Sequence, residues 1–508
     1  MKDEDVERLL LSQERLVLVE APAGCGKTYQ GAKYADIESS ALAAGRLLIL
    51  THTHSACGVF SERTKGNKKR VDIITIDSLI VQIAATYYKI LSIPCDVSAW
   101  ARSTKDGFDV LAHKVEQLLS NKSIISQALV SRYPVIVCDE HQDTSKAQHK
   151  IILELFKAGA KLRVFGDPMQ ALYANTKKKF EETIANWKEL KALGSYAKLE
   201  VPHRWSKGEF LLGEWVLEAR RALRDDGVID LTGSLPPGLN ISVVDNSSRT
   251  TGVYLLDSDQ RKGIDKIVRE NDRLLVLAST NRTVNSLRSA FFRQLVIWEG
   301  HTRGNLSQLV DTLSTPNLNP VDVAEATVSF IGSICVGFRA SSHGKIFIKE
   351  VREGGTGKAT RMPLHIQNMA RHIIGYPNHI GVSKVLVHLK ELVDAREAGF
   401  QDIKIDYFAE FNDAIRIGSY GDASEGFREI SRIRSYMKPE PPDKCLSTIH
   451  KAKGLECNNA IIMACDRDHF SSSDYAIRKL YVALSRAKSQ LTIVLSARNP
   501  TPLIKYNY

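Results

Sequence analysis

The apolar residues of this chain gather in short unbroken runs separated by longer stretches of mixed character. Val17-Leu18-Val19, Leu47-Leu48-Ile49-Leu50, Val71-Asp72-Ile73-Ile74, Val135-Ile136-Val137-Cys138 and Leu162-Arg163-Val164-Phe165 are such runs in the first part. Runs of this length, alternating with helical periodicity, predict buried strands of a parallel sheet. Helices are predicted over residues 5–11, 29–44 and 146–157. The rhythm breaks between residues 79 and 131, where the pattern is mostly helical. A second alternating region starts near residue 199. Its predicted strands are 241–244, 274–278, 445–449, 460–464 and 491–495, with a helix over 474–487. It is interrupted from about residue 289 to 436 by a less regular, mainly helical stretch with a hairpin expected around 346–350.

The expected class is therefore α/β, with two parallel sheets that each carry a mostly helical insertion. The boundaries read as 1–78 with 132–198 for the first sheet domain and 79–131 for its insertion. The second sheet domain takes 199–288 with 437–508, and its insertion 289–436. A chain of 508 residues is too long for one core. A net charge of +11 suits a polyanionic partner, nucleic acid first. The eight cysteines form no CxxC pair, which argues against a zinc site or disulfide frame. The acidic start, Met1-Lys2-Asp3-Glu4-Asp5, has no signal-peptide character, and no apolar run is long enough for a bilayer. The expectation is a cytoplasmic protein with no membrane partner.

Candidate chemistry sits at the ends of the strands. After Val17-Leu18-Val19-Glu20, the loop Ala21-Pro22-Ala23-Gly24-Cys25-Gly26 closes on Lys27-Thr28. Glycines let the backbone N–H groups face a polyphosphate, the next helix offers its N-terminus, Lys27 reaches the β/γ-phosphates and the Thr28 hydroxyl holds Mg²⁺. Asp139-Glu140 ends another strand, so one carboxylate can hold the metal while its neighbour polarises a water. Gln170, in Gly166-Asp167-Pro168-Met169-Gln170, can sense a γ-phosphate. Arg204 and Arg486, distant in sequence, can supply positive charge to that phosphate from a second domain. The clusters Lys65/Lys68/Lys69/Arg70 and Lys177-Lys178-Lys179 read equally as a phosphate-tracking groove or as solvated charge. Gly354-Gly355-Thr356-Gly357-Lys358 imitates a phosphate loop, but Ala359 follows and offers no hydroxyl, so it reads as a plain loop.

In this order the motifs resemble those of the superfamily 1 DNA helicases of the UvrD/Rep/PcrA type. Thr448-Ile449-His450-Lys451-Ala452-Lys453-Gly454-Leu455-Glu456 looks like their motif V. Leu480-Tyr481-Val482-Ala483-Leu484-Ser485-Arg486-Ala487-Lys488 looks like motif VI. Asp139-Glu140-His141-Gln142-Asp143-Thr144 with Gln148 is similar to motif II, and Gly166-Asp167 with Gln170 and Tyr173 to motif III. Leu50-Thr51-His52-Thr53-His54-Ser55-Ala56 is similar to motif Ia, and Thr75-Ile76-Asp77-Ser78 to motif Ib. The resemblance implies two RecA-like domains with ATP and Mg²⁺ between them. It implies Lys27, Glu140, Gln170, Arg204 and Arg486 as catalytic residues and Glu456 at the ribose. It implies Thr51, His52, Thr53, Thr75, Tyr173, Thr448 and His450 on the DNA side, with 3′-to-5′ stepping on single-stranded or partly duplex DNA.

The chain departs from that pattern in places. The family usually has Phe at the His52 position and Trp at the Asn175 position, both stacking on bases. Its adenine-stacking Tyr is His203 here, and Gln13 is the candidate for the adenine-reading Gln. The compact build is similar to the helicase-like component of Gabija-type anti-phage systems, which works beside an OLD-family nuclease. Two functions follow. One is a DNA-dependent ATPase that translocates on or unwinds DNA. The other is an ATPase subunit that senses DNA or nucleotide and switches a partner nuclease, with little unwinding. A P-loop kinase or GTPase would leave the two distal arginines and the second α/β domain unexplained.

Overall fold

A computed structural model describes residues 2–64, 70–244, 258–291, 294–299, 303–315, 317–436 and 440–507. The chain divides into two compact units, residues 1–295 with 442–508, and residues 296–441.

The first unit contains two parallel sheets. The first is built from β1 (Leu16–Glu20), β2 (Leu47–Thr51), β3 (Val71–Thr75), β4 (Val135–Cys138), β5 (Lys161–Gly166) and β6 (Ser195–Lys198). They lie in the order β3-β2-β4-β5-β1-β6 with every pairing parallel. Both faces are covered, which explains why the strands read as continuous apolar runs. Leu16, Leu18, Leu48, Leu50, Ile136 and Leu162 point to one core, and Val17, Val19, Ile49, Val137 and Phe165 to the other. The helices between residues 76 and 132 belong to the first of these cores. Leu79, Ile83, Leu111, Val115 and Leu119 pack there against strand residues.

The second sheet contains β7 (Leu239–Val244), β8 (Leu274–Ala278), β9 (Lys444–Thr448), β10 (Cys457–Cys465) and β11 (Ala487–Ser496). Neighbours run β9-β8-β10-β11-β7, again all parallel. Four helices of this unit matter to the site: α1 (Asp3–Leu10), α2 (Lys27–Ala41), α3 (Phe210–Asp225) and α4 (Asp474–Leu484). Parallel sheets bring the carboxyl ends of their strands to one edge, where the connecting loops can meet a ligand.

The second unit is helical, with one antiparallel pairing of Cys335–Val336 with Lys404–Ile405 among its described residues. The hairpin expected around 346–350 is instead a helix, Lys345–Arg352. Phe347 and Val351, four residues apart, are both buried, while Lys345, Lys349 and Arg352 face solvent. That is helical spacing, and it outweighs the β-branched content of the segment. Residues 354–358 form a loop.

Arg163 is fully buried inside the first sheet. Its guanidinium donates to the carbonyls of Leu10 (2.6 Å), Glu14 (2.9 Å) and Ser12 (3.0 Å), fastening the turn between α1 and β1. Arg163→Met would strand these acceptors at roughly 1–3 kcal/mol each. The expected outcome is a lower thermal midpoint together with new protease cleavage between residues 10 and 16, read by limited proteolysis and mass mapping.

Candidate functional site

The loop after β1 takes its shape from two glycines and from what presses on it. Gly24 and Gly26 have φ of +77° and +82°, a region that costs most side chains strain. A Cβ on Gly24 would lie 2.5 Å from Trp205 Cζ3 and 2.8 Å from Arg204 Cβ, so no other residue fits. The Ala21 N–H donates to Gly166 O (2.8 Å), and the Gly24 carbonyl accepts from the Arg204 N–H (3.0 Å). Pro22 and Ala23 are buried, and the Ala23 N–H donates to the Tyr481 hydroxyl (2.8 Å). Burial pushes the Cys25 thiol up to about 12, which leaves it inert. Gly26 caps α2 without a side chain, so the first N–H groups of that helix are left for an anion. Thr28 is half-buried in the first turn of that helix.

Lys27 opens α2 and points to the carboxylates after β4. Its ammonium pairs directly with Glu140 and lies 3.6 Å from Asp139 Oδ1. Burial disfavours its charge, but Glu140 and Asp139 more than offset this and hold it above the ordinary value. Glu140 adopts φ +54°, an uncommon conformation for a non-glycine residue. Burial would raise its pKa, yet Lys27 and Lys453 hold it well below the usual carboxylate range. Asp139 is 4% exposed, and burial pushes it up to about 6. Its Oδ1 accepts no hydrogen bond. A buried carboxylate oxygen with no hydrogen bond, only the Lys27 ammonium 3.6 Å away, beside a glycine loop and with Thr28 at the head of the adjoining helix, fits a divalent cation of the Mg²⁺ type.

Behind the loop lies a buried ionic network that the sequence reading missed. Arg220, on α3, donates to Glu20 Oε1 (2.8 Å) and to both Asp167 oxygens (2.5 and 3.2 Å). Asp167 also accepts from the Gln170 amide (2.9 Å) and the Met169 N–H (3.1 Å), and Glu20 accepts from the Tyr196 hydroxyl (2.7 Å). Burial disfavours the Arg220 charge, but Asp167 and the buried Tyr481 beneath it raise its pKa well above the ordinary value. One signal was available: Arg220 interrupts the apolar stripe Leu212, Val216, Leu223 of its helix.

Across the cleft, Lys453 pairs with Asp143 and donates to Gln170 O (3.0 Å). Arg204 donates to Ser485 O (2.6 Å) and to Glu456 Oε1 (3.3 Å). Arg486 is buried and satisfied by Val482 O (2.8 Å), Leu455 O (3.2 Å) and Ser485 Oγ (2.6 Å), and burial pushes its pKa down to about 9. His203 lies against Gly26, its Cδ2 3.2 Å from where a Cβ would stand, and pairs with Asp3. Gln13 is exposed in the turn before β1.

The residues expected on the DNA side divide into two groups. Thr53 and Thr75 cap helices, accepting from Ala56 N (3.2 Å) and Ser78 N (3.1 Å). The buried Thr51 hydroxyl contacts Thr53 O (3.1 Å) and Cys57 Sγ (3.0 Å), and the buried Thr448 hydroxyl accepts from Lys451 N (3.3 Å). Burial and Lys453 depress His52 to about 4, so its imidazole is neutral. Tyr173, by contrast, is 56% exposed, and its ring centroid lies 6.1 Å from that of His450. Gln148 donates to Asp77 (2.8 Å), joining the segments after β4 and β3. Lys177–Lys179 are exposed at a helix start, whereas Lys65, Lys68 and Lys69 lie outside the described residues.

Comparison with known proteins gives three matches. Residues 98–182 match the UvrD/REP helicase N-terminal domain, and residues 444–494 match the UvrD-like helicase C-terminal domain. A stretch of 54 residues is 39% identical to RecBCD enzyme subunit RecB of Buchnera aphidicola subsp. Baizongia pistaciae (strain Bp), covering 11% of this chain and 5% of that protein. No helix among the described residues is long and apolar enough to cross a membrane.

Arg220→Ala would leave Glu20 and Asp167 buried without their cation. Losing one partner of a buried pair costs roughly 3–5 kcal/mol. A clear drop in thermal midpoint is expected, and Arg220→Lys should recover only part of it because an ammonium cannot fork across both carboxylates.

Proposed function

We propose that this chain, a superfamily 1 helicase of the UvrD/Rep type by its ordered motifs and its two matched segments, is a Mg²⁺-dependent ATPase that moves on single-stranded DNA. The observation that carries the reading is the meeting at one loop of Lys27, the Asp139 oxygen that accepts no hydrogen bond and groups from the second sheet. Mg²⁺ would neutralise charge on the β- and γ-phosphates and hold them for attack. Asp139 and Thr28 would hold the metal, and Lys27 would take the phosphates in exchange for Glu140. Glu140 would then orient the attacking water, and Gln170 would report on the γ-phosphate. Arg204 and Arg486 would add charge to that phosphate, with Glu456 against the ribose. Arg204 would have to leave Glu456, and Arg486 its backbone carbonyls, so nucleotide binding would be coupled to movement of the second sheet. Stepping 3′-to-5′ is the polarity the family likeness supports.

A second reading is a DNA-responsive ATPase subunit that regulates a partner nuclease, as in anti-phage defence. It is favoured by His52 and Asn175 standing where stacking aromatics would be expected. The two differ in strand displacement, which only the motor performs.

The deciding measurement is ATP hydrolysis by the purified chain with and without single-stranded DNA. DNA-stimulated hydrolysis is expected, and Lys27→Ala should lower it by roughly 10²–10³-fold while the protein stays folded. Hydrolysis that ignores DNA would overturn the motor reading.

A further inference from the structure

We propose that Tyr475 is a base-stacking platform for single-stranded DNA, extending the Tyr173–His450 pair into a three-ring ladder along the edge of the second sheet. The proposal rests on the DNA-motor reading and adds to it a residue that no motif marked.

Three sequence-distant segments bring the rings together. Tyr173 follows the 3₁₀ turn Pro168–Gln170, His450 lies two residues beyond β9, and Tyr475 is the second residue of α4. The His450 centroid lies 6.1 Å from Tyr173 and 6.0 Å from Tyr475. These are spacings of interacting aromatic pairs. His450 Nε2 and the Tyr475 hydroxyl are hydrogen-bonded, which fixes the order of the ladder.

A ladder serving only to fill the core would be closed to water. This one is not. Tyr173 is more than half exposed, Tyr475 is half-buried, and residues 471–474 before it are exposed. Mostly buried cations back both ends: the Lys453 ammonium, held by Asp143 and Gln170 O, lies 5.4 Å from the Tyr173 ring centre, and Lys479, held by Ser279 and the His469 carbonyl, 5.6 Å from that of Tyr475. Partly exposed rings are surfaces on which the bases of a single strand stack, and an ammonium held behind such a ring adds a cation–π contact that steadies it. The His450 ring meets Tyr173 edge to face, at 67°, and Tyr475 at a tilt of 34°. Burial and the nearby Lys453 and Lys479 hold His450 below its ordinary pKa. The ladder would also supply stacking that His52 and Asn175 do not.

The test compares binding of a labelled oligo-dT with that of an equally long abasic oligomer, at one fixed salt concentration, by fluorescence anisotropy. Tyr475→Ala should weaken oligo-dT binding by roughly 5- to 100-fold and leave the abasic oligomer unchanged, because only bases stack. Tyr475→Phe should retain most of the oligo-dT affinity, and basal ATP hydrolysis should survive in both variants. Equal oligo-dT affinity in Tyr475→Ala and wild type would overturn the proposal, as would an equal loss on both oligomers, which would mark a structural role. If the wild type bound neither oligomer, the DNA-motor reading itself would fall, and the ladder with it.

Discussion

The first unit depends on a charge that should be expensive. Arg220 is buried between two carboxylates, and moving three ions out of water costs several kcal/mol each unless geometry and hydrogen bonds repay it. Here they do. Both Asp167 oxygens and one Glu20 oxygen accept from Arg220, and the Gln170 amide, Met169 N–H and Tyr196 hydroxyl take up further acceptor capacity. The helix that carries Arg220 packs against α4 and β11 of the second sheet, while its partners end β1 and follow β5 of the first. A single guanidinium therefore fixes the glycine loop, the Gln170 turn and the second sheet in one register. Tyr481 adds a parallel link, its ring beneath Arg220 and its hydroxyl on the loop N–H of Ala23.

The same logic governs the mouth of the site. Three cations facing the loop have a carboxylate partner: Lys27 with Glu140, Lys453 with Asp143 and Arg204 with Glu456. On the proposed reading, such a site would not gain a triphosphate by simple attraction, because most of its positive charge is already paired. Binding would then be an exchange in which phosphate oxygens replace carboxylates, and every displaced carboxylate would need a new role or a new donor. Since one of the three pairs, Lys453 with Asp143, spans the cleft, exchange on one side would be felt on the other.

Much of this was legible along the chain. Strands buried on both faces leave apolar runs that need no partner information, and the glycine loop is written in consecutive residues. What escaped was either ambiguous locally or distant in sequence. The segment 346–350 offered isoleucines that suit a strand, and only the burial of Phe347 and Val351 on one side shows the helix. Arg220 and Glu20 are 200 residues apart. A lone arginine in an apolar stripe signals burial, but it does not name its carboxylates. Arg163 has the same character, since its acceptors are backbone carbonyls, which carry no side-chain signature.

On the proposed reading, the nucleic-acid side answers to these constraints as well. His52 stands at the end of β2 close to Lys453 and Lys27, and it is neutral because burial and that positive field disfavour a second charge. On that reading, stacking surface would come from rings farther out, such as Tyr173, which is 56% exposed. Its neighbour Lys453 is committed inward through its ammonium to Asp143 and Gln170, while that ammonium also lies 5.4 Å from the Tyr173 ring centre. One lysine is thus shared between the carboxylates of the nucleotide side and the aromatic edge. On the proposed reading, this sharing is a physical route by which a change in the phosphates could alter the grip on a strand without a long chain of intermediates.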